Sequence, residues 1–454
     1  MFNFISADRD QPYLLPPSLQ EWLPENHLAW FVLDAVDQMN VRAFYRGFRE
    51  DGRGGAAFEP SLMVSLLLYG YCVGERSSRQ IERLCETDVA FRVIAANLKP
   101  DHATIARFRR NHRVELNHLF VEILRLCRAA GLVKMGTVAL DGTKMKANAA
   151  LDANRTHDGL EAEVAKMLSE AETKDCEEDT LHGARRGDEV PEALRGKASR
   201  LARLKECRER LEREAAEKAD TQARKIRERE TEEAASGEKK RGRKPAPPDS
   251  TPAPEAKANV TDPESRIMKT RSGYVQAYNA QAAVTEEQII VAAEVTQEAN
   301  DVRQLHPMMA SIRETAVAAG IRERVGALAA DAGYWSAENA KPDGRVKTDF
   351  LIATTKDWKR RKALRDLPPP RGRIPASLSL LDRMERKLRT KRGRHLYRKR
   401  SRTVEPVFGQ IKDARGIDRF LLRGRLGAEL EWKLICGTAN LLKMWRSGAR
   451  QAFH

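Results

Sequence analysis

Residues 136–144 read GTVALDGTK, a short apolar run that stops at Asp141 and passes directly into Gly142-Thr143-Lys144. Thr137, Val138 and Leu140 favour a strand, and a carboxylate set straight after such a run is costly in an interior unless something pairs with it. An aspartate before a glycine can also simply cap a turn. Working outward, the same pattern recurs at RVGALAAD, 324–331, where the apolar run ends on Asp331. Between the two lie strand signals at GYVQAYNAQAAVT (273–285) and QIIVAAEVT (288–296), and a helical stretch DVRQLHPMMASIRETAVAAG (301–320). A helix from about Ser336 and a strand at DFLIATT (349–355) follow, then a basic helical section.

The expected order is strand, long insertion, two strands, helix, strand, helix, strand, helix. Periodicity alone gives a mixed α/β fold with a helical insertion. The order itself is that of an α/β, ribonuclease-H-like mixed sheet flanked by helices. The insertion begins near Asn154 and ends near Arg266. Its residues 194–235 form a long charged helix with Leu201, Leu204 and Leu211 as apolar positions. Residues 236–257, SGEKKRGRKPAPPDSTPAPEAK, are expected to be disordered. Lys240-Arg241-Gly242-Arg243 within them has the Arg-Gly-Arg core of a minor-groove binder, or is a solvated basic linker.

Ahead of the sheet, WFVLDAVDQM, PSLMVSLLLYGYCVG from Pro60 and SSRQIERLCETDVAFRVIA from Ser77 are helical. PDHATIARFRRNH follows, a short basic helix capped by Asp101 or His102 and carrying Arg107, Arg109 and Arg110. Such a set suits either an all-α DNA-binding module or a plain bundle. The expected division is 1–130 for this helical domain, 131–155 with 264–446 for the α/β domain, and 156–263 for the charged insertion.

The chain has 454 residues, 81 Lys plus Arg and 65 Asp plus Glu, a net charge of +16. From Lys356 to Arg425 there are 24 cationic and seven acidic residues, so this stretch alone carries +17 and the rest sums to about −1. That concentration favours a phosphate backbone as partner. No apolar run reaches membrane-spanning length, and the six cysteines form no C-x-x-C pair, which argues against zinc knuckles and a disulfide framework. A reducing cytosol, close to the nucleoid, is the expected setting.

Glu405, in RTVEPVFGQIK (402–412), completes the acidic set with Asp141 and Asp331. If the first and fourth strands are neighbours, both aspartates meet at one sheet end and a helical glutamate can join them. Three such carboxylates repel unless divalent cations lie between them, and hard oxygen ligands select Mg²⁺ or Mn²⁺. Two ions ~3.5–4 Å apart can activate a hydroxyl and stabilise a leaving oxygen on a phosphodiester.

These motifs, in this order, resemble the bacterial insertion-sequence transposases of the DDE type. The resemblance runs through PSLMVSLLLYGYCVGERSSRQIERL, PDHATIARFR, DGTKMKANA, DPESRIMKTRSGYVQAYNAQAAV, ADAGYWS and RTVEPVFGQIK. It implies that Asp141, Asp331 and Glu405 bind two Mg²⁺ ions, and that the helical domain recognises terminal inverted repeats on double-stranded DNA, with a dimer or higher oligomer in the complex. Related families carry Tyr-x2-Arg-x3-Glu-x6-Lys. Lys412 keeps that register, two helical turns after Glu405, while Arg400 stands one residue too far from Glu405 and Arg402 is the other candidate. Lys144, beside Asp141, joins the DNA-contacting set. A catalytically silent regulator derived from such an enzyme is the competing class.

Overall fold

The computed structural model describes residues 18–48, 57–167, 169, 192–239, 242, 244–341 and 348–449. Lys240, Arg241 and Arg243, and with them the expected minor-groove motif, lie outside the described residues.

Six α-helices precede the sheet: α1 (Leu28–Gln38), α2 (Pro60–Val73), α3 (Ser78–Thr87), α4 (Val89–Ile94), α5 (His102–Asn111) and α6 (Arg113–Ala129). The expected single helix from Ser77 breaks at Asp88, whose carboxylate accepts from the backbone N–H of Ala90 and Phe91 and so caps α4. Asp101 caps α5 by accepting from Thr104 N–H at 2.8 Å. Helix α2 is apolar on almost every side because it is enclosed, with α1 and α4 against it and the C-terminal helix behind.

The main sheet has six strands: β1 (Thr137–Lys146), β4 (Arg266–Thr270), β5 (Gly273–Thr285), β6 (Ile290–Thr296), β7 (Ala327–Ala330) and β8 (Asp349–Ile352). β5 pairs antiparallel with β1 along one edge, while β4 pairs with its first residues and β6 with its later ones. On its other side β1 runs parallel to β7, and β7 parallel to β8. Thus the first and fourth of the expected strands are indeed neighbours. Two details differ from expectation. β1 does not end at Leu140: it continues through Asp141 to Lys146, because β5 keeps pairing with it where β7 stops. β4 is an additional strand, closed on β5 by a turn at Gly273, whose φ of +118° suits glycine.

The insertion is a small unit of its own. β2 (Asn154–Thr156) pairs with β3 (Lys257–Asn259), residues 157–167 form a helix (α7), and α8 (Glu192–Ser236) is the long charged helix. Leu160, Val164, Leu204, Cys207, Leu211 and Ala258 make its separate core. The segment expected to be disordered has no helix or strand over 244–256 but lies along α8, where Gln222 donates to the Ala246 carbonyl at 3.0 Å. After β6 come α9 (Leu305–Ala318), α10 (Trp358–Asp366), α11 (Leu380–Arg389), α12 (Lys391–Gly409) and α13 (Arg425–Arg446). No helix forms from Ser336: residues 336–341 are turns, held by Asn339 and followed by Pro342, which disfavours a helical residue before it. Among the described residues no helix is long and apolar enough to cross a membrane.

One apolar core runs from α1 through the sheet to α13, so the helical domain and the α/β domain are not packed separately. Helix α13 is buried along most of its length, against α2 and α6 on one side and β6 on the other. Two buried ionic groups fasten this junction. Arg415 donates to the carbonyls of Tyr71 and Ile435 and to the Thr438 hydroxyl, and burial lowers its pKa to about 10. Arg76, after α2, pairs with Glu431 of α13, and Glu431 also accepts from the backbone N–H of Leu421 and Leu422 at 2.7 and 2.9 Å. Burial raises the Glu431 pKa against the pull of Arg76. Removing one partner strands the other charge in the interior. Glu431→Ala should therefore cost ~3–5 kcal/mol, read from denaturant unfolding, with Glu431→Gln costing less. A loss under about 1 kcal/mol would show that the pair does not hold the junction.

Candidate catalytic site

The parallel register Leu140↔Ala330 sets the next residues side by side, Asp141 within β1 and Asp331 just past the end of β7. Each is held by a backbone amide: Asp141 Oδ1 accepts from its neighbour Gly142 at 3.0 Å, and Asp331 Oδ1 from Gly333 at 2.8 Å. Helix α12 crosses this end of the sheet, touching β1, β5, β7 and β8. From it Arg400 reaches down, and its Nη2 donates to Asp141 Oδ2 at 2.6 Å. Its Nη1 stands 3.8 Å from Glu405 Oε1, so the guanidinium lies between the two carboxylates. Arg400 is only 14% exposed, whereas the Glu405 side chain is 61% exposed.

Charge and burial oppose each other here. Burial raises the Asp141 pKa to about 6 even though Arg400 pulls it down, with Asp331 and Asp301 adding to the rise. Burial also works against the Arg400 charge, but Asp141, Tyr397, Asp331 and Glu405 outweigh it and hold its pKa above the usual value. Among the described residues no three His, Cys, Asp or Glu side chains stand close enough together to hold a metal ion. Asp141, Asp331 and Glu405 nonetheless offer the hard oxygen donors that suit Mg²⁺ or Mn²⁺. Around them the chain is pared to glycine. A Cβ on Gly333 would lie 2.9 Å from Asp331 Oδ1 and 3.1 Å from Asp301 Oδ2, so that space is left to carboxylate oxygens.

The other expected residues divide. Arg400, not Arg402, takes the place beside the acids; Arg402 is exposed, and its carbonyl accepts from Gln288 Nε2 at 3.1 Å. That contact has a covalent reason. Pro406 has no N–H to give to the carbonyl four residues back, and Gln288 supplies the missing donor. Lys412 does not sit two regular turns beyond Glu405. The helix widens into a π turn at Gln410–Ala414, and Lys412 Nζ donates to the Lys144 carbonyl at 2.9 Å. Lys144 itself donates to the Ala299 carbonyl at 2.6 Å, and burial lowers the pKa of both lysines. In α5, Arg107 and Arg110 are exposed, but Arg109 is 7% exposed and is spent on the Arg76 carbonyl and the Ser78 hydroxyl. It braces the helical domain and offers no groove contact.

Sequence reasoning missed Asp301. Its Oδ1 accepts from Asn279 Nδ2 at 2.7 Å and Gln281 Nε2 at 2.8 Å, close behind the two aspartates. The signal was present: Asn279 and Gln281 fall on one face of the strand GYVQAYNAQAAVT, and both are fully buried. Two buried amides on one strand face require partners.

Comparison with protein families finds two matches. Residues 17–111 match a transposase domain family, DUF772, and residues 248–441 match the transposase DDE domain family. The chain belongs to the DDE transposases of insertion sequences. Asp141 falls between the matched spans, ahead of the insertion, while Asp331 and Glu405 lie inside the second. No curated protein and no solved structure matches the chain.

The three arginines of α5 should separate experimentally. Arg109→Ala should destabilise the fold by ~2 kcal/mol or more, since it leaves a buried carbonyl unpaired, as measured by thermal unfolding. Arg107→Ala and Arg110→Ala should stay within about 0.5 kcal/mol of the parent protein. If Arg109→Ala melted with the other two, the buried tie would carry no weight.

Proposed function

We propose that this protein is an active transposase that binds the terminal inverted repeats of its element and performs cation-dependent DNA cleavage and strand transfer. The observation that carries the reading is the Leu140↔Ala330 register, which brings Asp141 and Asp331 together beneath α12 and Glu405. The strand order β6-β5-β1-β7-β8, antiparallel then parallel, supports a ribonuclease-H-like sheet as the scaffold. Asp141, Asp331 and Glu405 would hold two Mg²⁺ ions, with Mn²⁺ able to replace them. Such ions, when bound, supply an activated hydroxyl and stabilise the leaving oxygen of a phosphodiester.

The chain's own residues do the rest. Arg400 keeps the buried Asp141 charged and aimed at the sheet end, since a carboxylate in that setting would otherwise take up a proton near neutral pH. The exposed cations on α10 and α12 would follow a phosphate backbone. Arg107 and Arg110 are the exposed α5 residues available to a groove. A nucleic-acid complex built from two or more copies fits a reaction that joins two element ends.

Asp141→Asn, Asp331→Asn and Glu405→Gln should each lower Mg²⁺-dependent cleavage of element-end DNA by about 100-fold or more while leaving DNA binding within a few-fold. Near-normal cleavage by any one of them removes that residue from the site. Cleavage absent from the unaltered protein, with binding intact, would favour the silent regulator.

Binding should also be steeply salt-dependent. Reversing Lys359, Arg361 and Lys362 of α10 to glutamate should flatten the slope of log affinity against log salt by about three units and weaken all sequences alike. An unchanged slope would take α10 off the DNA path.

A further inference from the structure

Asp301 lies outside both catalytic strands, in the turn between β6 and α9, yet it is built into the site. One of its oxygens takes two amide N–H groups, from Asn279 and Gln281, and Lys144 Nζ is 3.9 Å from the same atom. The other oxygen faces the space over Gly333, where a Cβ would sit 3.1 Å from it. A Cβ on Gly142 would lie 2.6 Å from Asp301 Oδ1, so glycine after Asp141 is what lets this carboxylate approach β1.

Gln281 is shared. It gives its N–H to Asp301 and accepts at Oε1 from the Tyr334 hydroxyl, three residues past Asp331. Asn339 closes the ring by donating to the carbonyls of Val302 and Tyr334, both at 2.7 Å. Gln281, Tyr334 and Asn339 are buried, so the bonds from Tyr334 to Gln281 and from Asn339 to Tyr334 are made away from water. The loop that carries Asp331, past the end of β7 at Ala330, is thereby tied to β5 and to the turn that carries Asp301.

We infer that Asp301 is a positioning residue: through Gln281, Tyr334 and Asn339 it holds the loop of Asp331 in place beside Asp141, where the two carboxylates would take a divalent cation. The inference rests on Asp141 and Asp331 being cation ligands. The role is that of an acceptor with a fixed shape. A polar network of this kind holds its members rigidly only when all of its partners are present, and loss of an outer partner usually weakens a metal site 10–100-fold.

The test uses the full chain, with Mn²⁺ binding measured by calorimetry beside single-turnover cleavage of element-end DNA. Asp301→Ala should bind Mn²⁺ about 10–100-fold more weakly and cut correspondingly more slowly, with DNA affinity within about twofold. Asp301→Asn should restore both to within about threefold, because its amide oxygen can still accept from Asn279 and Gln281. An Asp301→Asn protein as defective as Asp301→Ala would mean that the charge itself is needed, which overturns the positioning role. Unaltered Mn²⁺ affinity in Asp301→Ala overturns it as well. Should Asp301→Ala not fold, Tyr334→Phe removes only the hydroxyl bond to Gln281. It should weaken Mn²⁺ binding about tenfold, and parental affinity there would overturn the inference. A failure of the ligand assignment shows separately, as Asp331→Asn binding Mn²⁺ like the parent, and sinks the inference with it.

Discussion

Carboxylates gathered at one end of a sheet repel each other unless positive charge lies among them, and here that charge is the Arg400 guanidinium. It is half of a half-buried pair with Asp141 and also stands beside Glu405. Much of the architecture exists to bring it there. Helix α12 has to cross β1, β5, β7 and β8, and it is held in that crossing by contacts from the β5–β6 turn. Lys399 pairs with Glu286, and Gln288 bonds to the carbonyl that Pro406 leaves open. Gln288 lies in the hairpin turn closed by Gln288 N–H to the Thr285 carbonyl, and takes a φ of +65° there. The helix end, the turn and the ion pair thus form one mechanical unit.

How much of this was legible in the sequence depended on the range of the interaction. Strand and helix types were readable because periodicity is local: β5 spans the residues expected, and α8 nearly so. Asp141 and Asp331 were readable because a carboxylate after an apolar run contradicts its surroundings. The end of β1 was not, since it depends on β5, whose pairing residues lie more than 130 positions away. Arg400 could not be separated from Arg402 by spacing alone. The choice follows from which face of α12 lies on the sheet, which no local pattern encodes. Arg109 misled for a related reason, as a basic helix has the same composition whether one arginine points inward or outward.

The insertion and the helical domain relate to the sheet in opposite ways. The insertion enters through β2 and leaves through β3, which pair with each other, and its apolar residues satisfy themselves in a separate core. The sheet therefore closes over it with β1 and β4 on either side of β5, whatever length intervenes. The helical domain has no such independence. Its apolar helix α2 is walled on one side by α13, and Gly74 has no room for a side chain because the Arg415 backbone oxygen would lie 2.5 Å from its Cβ.

That dependence orders events during synthesis. Helix α13 begins at Arg425, so the first 130 residues leave the ribosome long before the surface they need has been made. β1 likewise waits for β5 and β7, and Asp141 for Arg400. Helix α13 completes the helical domain and covers β6 of the sheet, so both wait for the same helix. A chain broken off before α13 thus leaves open the core that the helical domain and the sheet share.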